Sequence, residues 1–141
     1  FKRNVMNNTE KQQQVDSYIS TLNGIVAKME VNETNMANSQ PMTDEPYTLR
    51  QDLILLRQNA SIFISKQLPG LTKEQDDSRE LFTWDKFKID GVEISQEDGF
   101  HLSLLRWQLQ DAIKPTLERF NQHLINLRPN WYPNIPKPIV I

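Results

Sequence analysis

Three long segments of this chain repeat apolar residues at spacings of three and four, which is the period of one face of an α-helix. They cover about residues 4–38, 47–67 and 96–127. Amphipathic helices of this kind bury their apolar faces by packing on one another. The pattern therefore predicts a mainly α protein, an elongated antiparallel helical bundle of three long or medium helices plus one short helix.

The first segment carries an apolar stripe that is broader than the seam of a two-stranded coiled coil. One row of the stripe repeats every seven residues: Val15, Leu22, Met29 and Met36. A second set of apolar residues widens it: Tyr18, Ile19, Ile25 and Val26. A stripe of this width favours a bundle over a lone coiled coil, although it does not decide whether the helix packs within its own chain or against a second copy.

The second segment is apolar around more than half of its circumference. It follows a proline-containing loop at 38–46 and ends before Pro69 and Gly70, which do not continue a helix. A helix that is apolar on so many sides is normally contacted on two of them. We therefore expect it to be the central element of the domain.

A short helix and a β-hairpin are predicted between the second and third segments. Thr72 and Gln75 have the spacing of a capping box, which marks a helix start. Further on, Asp90 and Gly91 form the pair that favours a two-residue type I′ turn, and apolar residues alternate on either side of them. These signals predict a small hairpin near residues 86–94.

The last segment predicts the longest helix, which continues across Pro115 with a kink, because the apolar spacing persists beyond that residue. Four prolines follow within ten residues: Pro129, Pro133, Pro136 and Pro138. We accordingly expect two parts, a helical bundle with a hairpin insertion at 1–128 and an extended proline-rich tail at 129–141.

No motif of catalysis or cofactor binding is evident in the sequence. The chain has no cysteine and only four glycines, and no phosphate-binding glycine loop. His101 and His123 would lie about 33 Å apart along one helix, too far to share a catalytic site. Glu97, Asp98 and His101 fall within one turn, which suits a helix start better than a metal site. We expect no enzyme, no cofactor and no metal.

Charge and hydropathy restrict the partners. The net charge is -2 with both signs interspersed, so nucleic acid is not expected as a partner. No apolar run approaches the ~20 residues that span a bilayer. We expect the chain to be a piece of a longer protein. The aromatic pair Trp131 and Tyr132 is of the kind found where a chain approaches a membrane segment, which would then adjoin residues 1–141. Its localisation stays open.

Two clusters of aromatic and β-branched residues are candidate partner-binding surfaces. The first belongs to the predicted hairpin: Trp84, Phe87, Ile89, Val92 and Ile94. The second belongs to the tail: Trp131, Tyr132 and Ile135. Packing in the core of the same chain is the alternative for both.

The sequence thus favours a non-enzymatic protein–protein interaction or assembly domain of a larger multi-subunit or membrane-associated protein. Its partner would be another protein or a second copy of the chain. The alternative is an extracytoplasmic helical ligand-sensing domain flanked by membrane helices, in which a small molecule binds between helices and shifts them.

Overall fold

The computed structural model describes the backbone of residues 6–68, 88–89, 92–93, 96–131 and 135–141. Side chains are described for 6–68, 99–127 and 135–141. The described part is mainly helical, with α1 at Asn8–Ala37, α2 at Pro46–Gln67 and α3 at Gln96–Trp131. The prediction of a mainly α protein built on three packed helices is confirmed.

Both ends of α1 are capped. The side chain of Asn7 accepts a hydrogen bond from the backbone N–H of Glu10 at 2.8 Å, which satisfies one free donor of the first turn. At the other end Ser39 adopts a left-handed φ of 56°. The N–H groups of Ser39 and Gln40 then donate to the carbonyls of Met36 and Asn35. This pattern is a Schellman motif, built on serine where glycine is usual.

The start of α2 and the passage of α3 across Pro115 follow their local sequence. Pro46 lies in the first turn of α2, where its missing N–H and fixed φ are tolerated. The last turn of α2 receives a hydrogen bond from Lys11 of α1, whose Nζ lies 2.8 Å from the carbonyl oxygen of Gln67. α3 continues through Pro115 and extends to Trp131, so residues 129–131 of the predicted tail are helical.

Contacts between side chains fix the direction of each helix. Asn32 of α1 contacts Asp44, just before α2, while Lys11 contacts the last residue of α2, so α1 and α2 are antiparallel. Asn23 pairs with Arg119 and Glu33 pairs with Asn126, so α1 and α3 run in the same direction. The bundle is therefore up–down–up, with consecutive helices antiparallel.

The core consists of two clusters stacked along the bundle axis. The first joins the C-terminal halves of α1 and α3 to the start of α2: Leu22, Ile25, Val26, Met29, Met36, Leu49, Leu53, Leu117, Phe120, Leu124, Leu127, Ile135 and Ile139. The second lies at the opposite end: Val15, Ala60, Phe63, Ile64, Leu68, Leu102, Leu105 and Leu109. The four α1 residues that repeat every seven positions, from Val15 to Met36, are all buried.

The expectation that α2 is the central helix is wrong. α2 contacts both other helices, but the most extensive contact in the bundle is between α1 and α3. Leu55 and Ile62 of α2 are 46% and 52% exposed. The count of apolar residues around a helix does not reveal which of its faces are covered, and here part of the apolar circumference of α2 faces solvent.

Five described residues lie between α2 and α3: Leu68, which follows α2 directly, and four residues in two short strands. Strand β1 at Lys88–Ile89 pairs antiparallel with β2 at Val92–Glu93, with Lys88 opposite Glu93 and Ile89 opposite Val92. This pairing is only two residues long on each side. The predicted hairpin at 86–94 is therefore not supported as an element of the fold. The short helix predicted from Thr72 is not supported either, and its residues lie outside the described part.

Candidate functional site

An extended segment at the end of the chain lies on the surface between α2 and α3. It comprises residues 135–141, which contain no helix or strand, and we call it the tail segment. Ile135 and Ile139 are 3% and 4% exposed and belong to the first core cluster. Val140 and Ile141 point outward and are exposed. Pro136 is buried as well. These three buried residues anchor the tail segment, and we call the surface that holds it the α2–α3 groove.

Asn121 of α3 holds the backbone of the tail segment at one residue. Its Nδ2 donates to the carbonyl oxygen of Ile139 at 2.9 Å, and its Oδ1 accepts from the N–H of Ile139 at 2.7 Å. A primary amide matches the donor and acceptor of one residue in extended conformation. Because the two hydrogen bonds go to main-chain atoms, they recognise an extended backbone and impose little on side-chain identity.

Two arginines of α2 hold the same segment from the other side of the groove. Arg50 donates from Nε to the carbonyl oxygen of Lys137 at 2.7 Å and from a terminal nitrogen to that of Pro138 at 3.4 Å. Arg57 donates to the carbonyl oxygen of Val140 at 2.7 Å. Neither arginine binds a tail side chain in these contacts, so they too recognise the backbone.

The spacing of these contacts explains why the tail segment runs parallel to α2. Seven residues separate Arg50 from Arg57, which is a rise of about 10.5 Å along a helix. Three residues separate Lys137 from Val140, which is about 10 Å in an extended chain. The two rises match, so each arginine finds a carbonyl opposite it. The tail segment consequently points toward the C-terminal end of α2.

The groove continues beyond the tail segment toward that end. A cavity of about 560 Å³ lies between α2 and α3 there, and its lining is mainly polar: Ser61, Ile64, Ser65, Arg106, Gln110, Ile113 and Lys114. Two cations and no carboxylate are among these residues. The buried Nε of Arg106 has no hydrogen-bond partner. Ser103 Oγ and Trp107 Nε1, nearby on α3, are also buried without a partner.

A second polar cluster lies across α1 and α3. His123 contacts Glu33 through Nδ1 and lies 3.7 Å from Glu30 through Nε2. Asn126 donates to the other oxygen of Glu33 at 3.0 Å. Within the described residues no group of three or more histidine and acidic side chains is arranged to hold a metal ion. These contacts fix the parallel alignment of α1 and α3.

The predicted partner-binding residues fall in different parts of the structure. Ile135 is buried in the core of its own chain, so its packing follows the alternative that the sequence left open. Trp131 ends α3, and Ile89 and Val92 lie in the two short strands, all without a described side chain. The remaining ones lie outside the described residues: Trp84, Phe87, Ile94 and Tyr132. Partner binding by all of these residues stays a prediction.

The residues that form the groove are not among those predicted from the sequence. Asn121, Arg50 and Arg57 are polar residues in amphipathic helices, where a solvent-facing position is the ordinary expectation. Their partners are main-chain atoms of residues 137–140, and main-chain atoms have no sequence signature. No signal in the sequence distinguishes them from other surface residues.

Comparisons with known proteins give the chain no relative. Neither a protein-family model, nor a curated protein, nor a solved structure matches it. In the described part of the chain, no helix is both long and apolar enough to cross a membrane. The α2–α3 groove is the feature of the described structure from which a function can be inferred.

Proposed function

We propose that this chain is a non-enzymatic interaction domain that holds an extended polypeptide segment in the α2–α3 groove, within a larger protein assembly. The observation that supports the proposal is the paired hydrogen bonding of Asn121 with both main-chain groups of Ile139. Main-chain contacts with pockets for alternate side chains are a general way to bind an extended peptide.

The groove has the parts that such binding requires. Apolar sockets for two isoleucines four residues apart supply the hydrophobic contribution. Asn121, Arg50 and Arg57 supply five hydrogen bonds to main-chain atoms of residues 137–140. In the free chain the tail segment is the resident occupant. In an assembly the occupant would be a segment of the same chemistry from a partner or from a second copy.

A labelled peptide tests whether the groove accepts such a segment in trans. The probe has the sequence of residues 135–141, with fluorescein at its N-terminus and an amidated C-terminus, and its anisotropy is followed as protein is added. The full chain should bind it weakly, because a tethered tail competes at high effective concentration. The variant Ile139→Ser weakens the resident tail and should bind the probe at least about tenfold more tightly.

A matched double variant separates groove binding from nonspecific adhesion. Adding Asn121→Ala to Ile139→Ser leaves the tail equally weakened but removes the amide that holds the peptide backbone. The double variant should lose most of the increase in peptide affinity that Ile139→Ser produces. If both variants bind equally, or if neither binds, the proposal is wrong. Ile135→Ser serves as a second tail variant should circular dichroism show that Ile139→Ser does not fold.

Light scattering over a hundredfold range of concentration tests assembly through a second copy. A mass that rises with concentration in the wild type and stays monomeric in Asn121→Ala would support exchange of tail segments between chains. A monomer at all concentrations, together with peptide binding in trans, would assign the groove to a different protein partner.

The alternative of a ligand-sensing domain between membrane helices is favoured by a different observation. Met6, before α1, lies beside Lys66 and Gln67 at the C-terminal end of α2, and the tail segment points to this same end. A domain with membrane helices on both sides needs both connections on one side. A cavity of about 300 Å³ between α1 and α2 also lies there, against Tyr18 and Phe63.

Blocking that cavity tests the sensing alternative. Ile62 lines it and is half exposed, so Ile62→Trp should fill it while leaving the fold intact. A panel of small amphiphilic acids and amines is screened for compounds that raise the melting temperature of the wild-type chain. Sensing through this cavity requires that the shift disappears in Ile62→Trp, and a shift that persists would contradict it.

A further inference from the structure

The part of the α2–α3 groove beyond Val140 shares its helix faces with the part that holds the tail segment. Ser61 and Ser65 follow Arg57 by one and two turns of α2, on the same face. On the antiparallel α3, Lys114 and Gln110 precede Asn121 by two and three turns. A chain that followed the tail segment would therefore enter the cavity directly.

The length of this unfilled part sets the size of its occupant. Eight residues of α2 separate Arg57 from Ser65, which is a rise of about 12 Å. An extended chain covers that distance in about four residues. Because Arg57 lies opposite Val140, the cavity holds the residue at the position of Ile141 and the three positions that come after it.

The charge of the cavity sets the chemistry of its occupant. Arg106 and Lys114 line it, and in the described part of the chain neither makes a hydrogen bond or an ion pair. Asp111 and Glu118 are exposed residues of α3, three before and four after Lys114, and neither lines the cavity. Two unpaired cations, the half-buried Arg106 and the exposed Lys114, favour an anionic group at this site.

The other lining residues suit a peptide. Ser61, Ser65 and Gln110 offer hydroxyl and amide groups that can pair with main-chain atoms or carboxylates, and Ile64 and Ile113 supply the apolar floor. The guanidinium of Arg106 matches a carboxylate in two-point geometry. This combination resembles the occupied half of the groove, except that Arg50 and Arg57 there bind main-chain carbonyls, whereas Arg106 and Lys114 bind no group in the described part of the chain.

We infer that the partner segment of the α2–α3 groove is an extended peptide with two apolar residues four positions apart, followed after two further residues by acidic residues that bind Arg106 and Lys114. This inference rests on the proposed function, because it requires the groove to hold peptide in trans. It adds the direction of the peptide and the chemical class of its C-terminal part. Residues 135–141 lie in the half of the site that Arg50, Arg57 and Asn121 line.

The inference is tested by measuring how tightly the Ile139→Ser variant binds two ten-residue peptides. Both carry the sequence of residues 135–141 and an amidated C-terminus, and they end in three aspartates or in three serines. The aspartate peptide should bind about tenfold more tightly at low salt. Raising the ionic strength to about 0.5 M should reduce this advantage, because salt screens partly exposed charges.

Variants that remove charge test whether the tighter binding of the aspartate peptide depends on the cavity. In the Ile139→Ser chain that also carries Arg106→Gln and Lys114→Gln, the two peptides should bind equally, while the serine peptide keeps its affinity. A matched control removes two positive charges elsewhere through Lys28→Gln and Lys66→Gln, which lie on α1 and beside the α1–α2 cavity. The control should retain the aspartate advantage.

The outcomes separate this inference from the proposed function. Binding of the serine peptide without any advantage for aspartate overturns the acidic partner and leaves the peptide groove standing. An aspartate advantage that is lost equally in the control variant also overturns it, because net charge alone would then explain the result. Failure of both peptides to bind overturns the peptide groove itself, and this inference with it.

Discussion

Two asparagine side chains hold non-helical segments of this protein by their backbone, and they do so in opposite environments. Asn32 of α1 is 0% exposed and holds the loop before α2: its Oδ1 accepts from the N–H groups of Thr43 and Asp44 at 3.1 and 3.2 Å, and its Nδ2 donates to the carbonyl of Asp44 at 2.7 Å. Asn121 is only partly buried and holds the single residue Ile139.

From this difference we expect burial, more than the number of hydrogen bonds, to decide whether such a segment can leave. If the loop separated from Asn32, the fully buried amide of Asn32 would be left without these partners, which is costly. If the tail segment separated from Asn121, water could replace each lost hydrogen bond. The loop is also connected to a helix at both ends, to α1 at Ala37 and to α2 at Pro46. On the proposed function, the loop would stay in place while the tail segment gives way to a partner segment.

The largest expected effect comes from Asn32→Ala. This change removes three hydrogen bonds between a fully buried side chain and the loop backbone, and it should lower the free energy of unfolding by about 3 kcal/mol. Urea denaturation followed by circular dichroism measures it, and the whole bundle should be affected. Asn23→Ala is the matched control on the exposed face of the same helix, with an expected effect below about 0.5 kcal/mol. Equal losses in the two variants would contradict the assigned role of Asn32.

Asn121→Ala should have a smaller and local effect. We expect a loss of about 1–1.5 kcal/mol, because the groups it frees become accessible to water. Hydrogen exchange should accelerate at Ile139 and its neighbours in the tail segment, while α1 and the loop held by Asn32 keep their protection. A uniform acceleration across the chain would show that the tail segment and the bundle are one cooperative unit.

Ser39→Gly, just after α1, is expected to stabilise the protein rather than destabilise it. Serine at a left-handed φ is strained, and glycine relieves the strain at the expense of some chain entropy, so we expect a gain of about 0.5–1 kcal/mol. Ser20→Gly, at an exposed position inside α1, should instead destabilise by about 0.5 kcal/mol. Melting temperatures of the two variants should therefore move in opposite directions, and tail exchange should be unchanged in both.

The smallest effect is expected from Arg57→Gln. Its hydrogen bond to the carbonyl of Val140 lies near the surface, where water competes for the same groups. The free energy of unfolding should therefore fall by about 0.5 kcal/mol or less. The proper measurement is affinity for the labelled peptide rather than global stability, with an expected decrease of two- to threefold. An unchanged affinity would remove Arg57 from the recognition of the segment.

The helices and much of the core were predictable because burial follows a period that the sequence displays. The seven-residue row of α1 from Val15 to Met36 is buried throughout. The role of Asn32 also had a signal, although it was missed: it lies seven residues after Ile25 and fourteen after Tyr18, in a row that faces the core. A polar residue in such a row marks a specific buried partner.

Other features could not be read from the sequence, for physical reasons. The groove depends on main-chain acceptors that any residue provides, so Arg50 and Asn121 look like ordinary surface residues. The exposure of Leu55 and Ile62 depends on which helices pack together, and the period of a single helix does not contain that information. For the hairpin, the turn signal at Asp90 and Gly91 is local, and two paired residues on each side do not make a packed element.

The buried amide of Asn32 also has a consequence for covalent modification. Asn32, Glu33 and Thr34 form an acceptor sequence for N-linked glycosylation, and the nitrogen that would carry the sugar is the one that donates to Asp44. In any compartment that attaches such glycans, sugar transfer and folding compete for the same atom. Glycopeptide mapping of the folded protein should therefore find Asn32 unmodified, since a chain glycosylated there could not close its first loop.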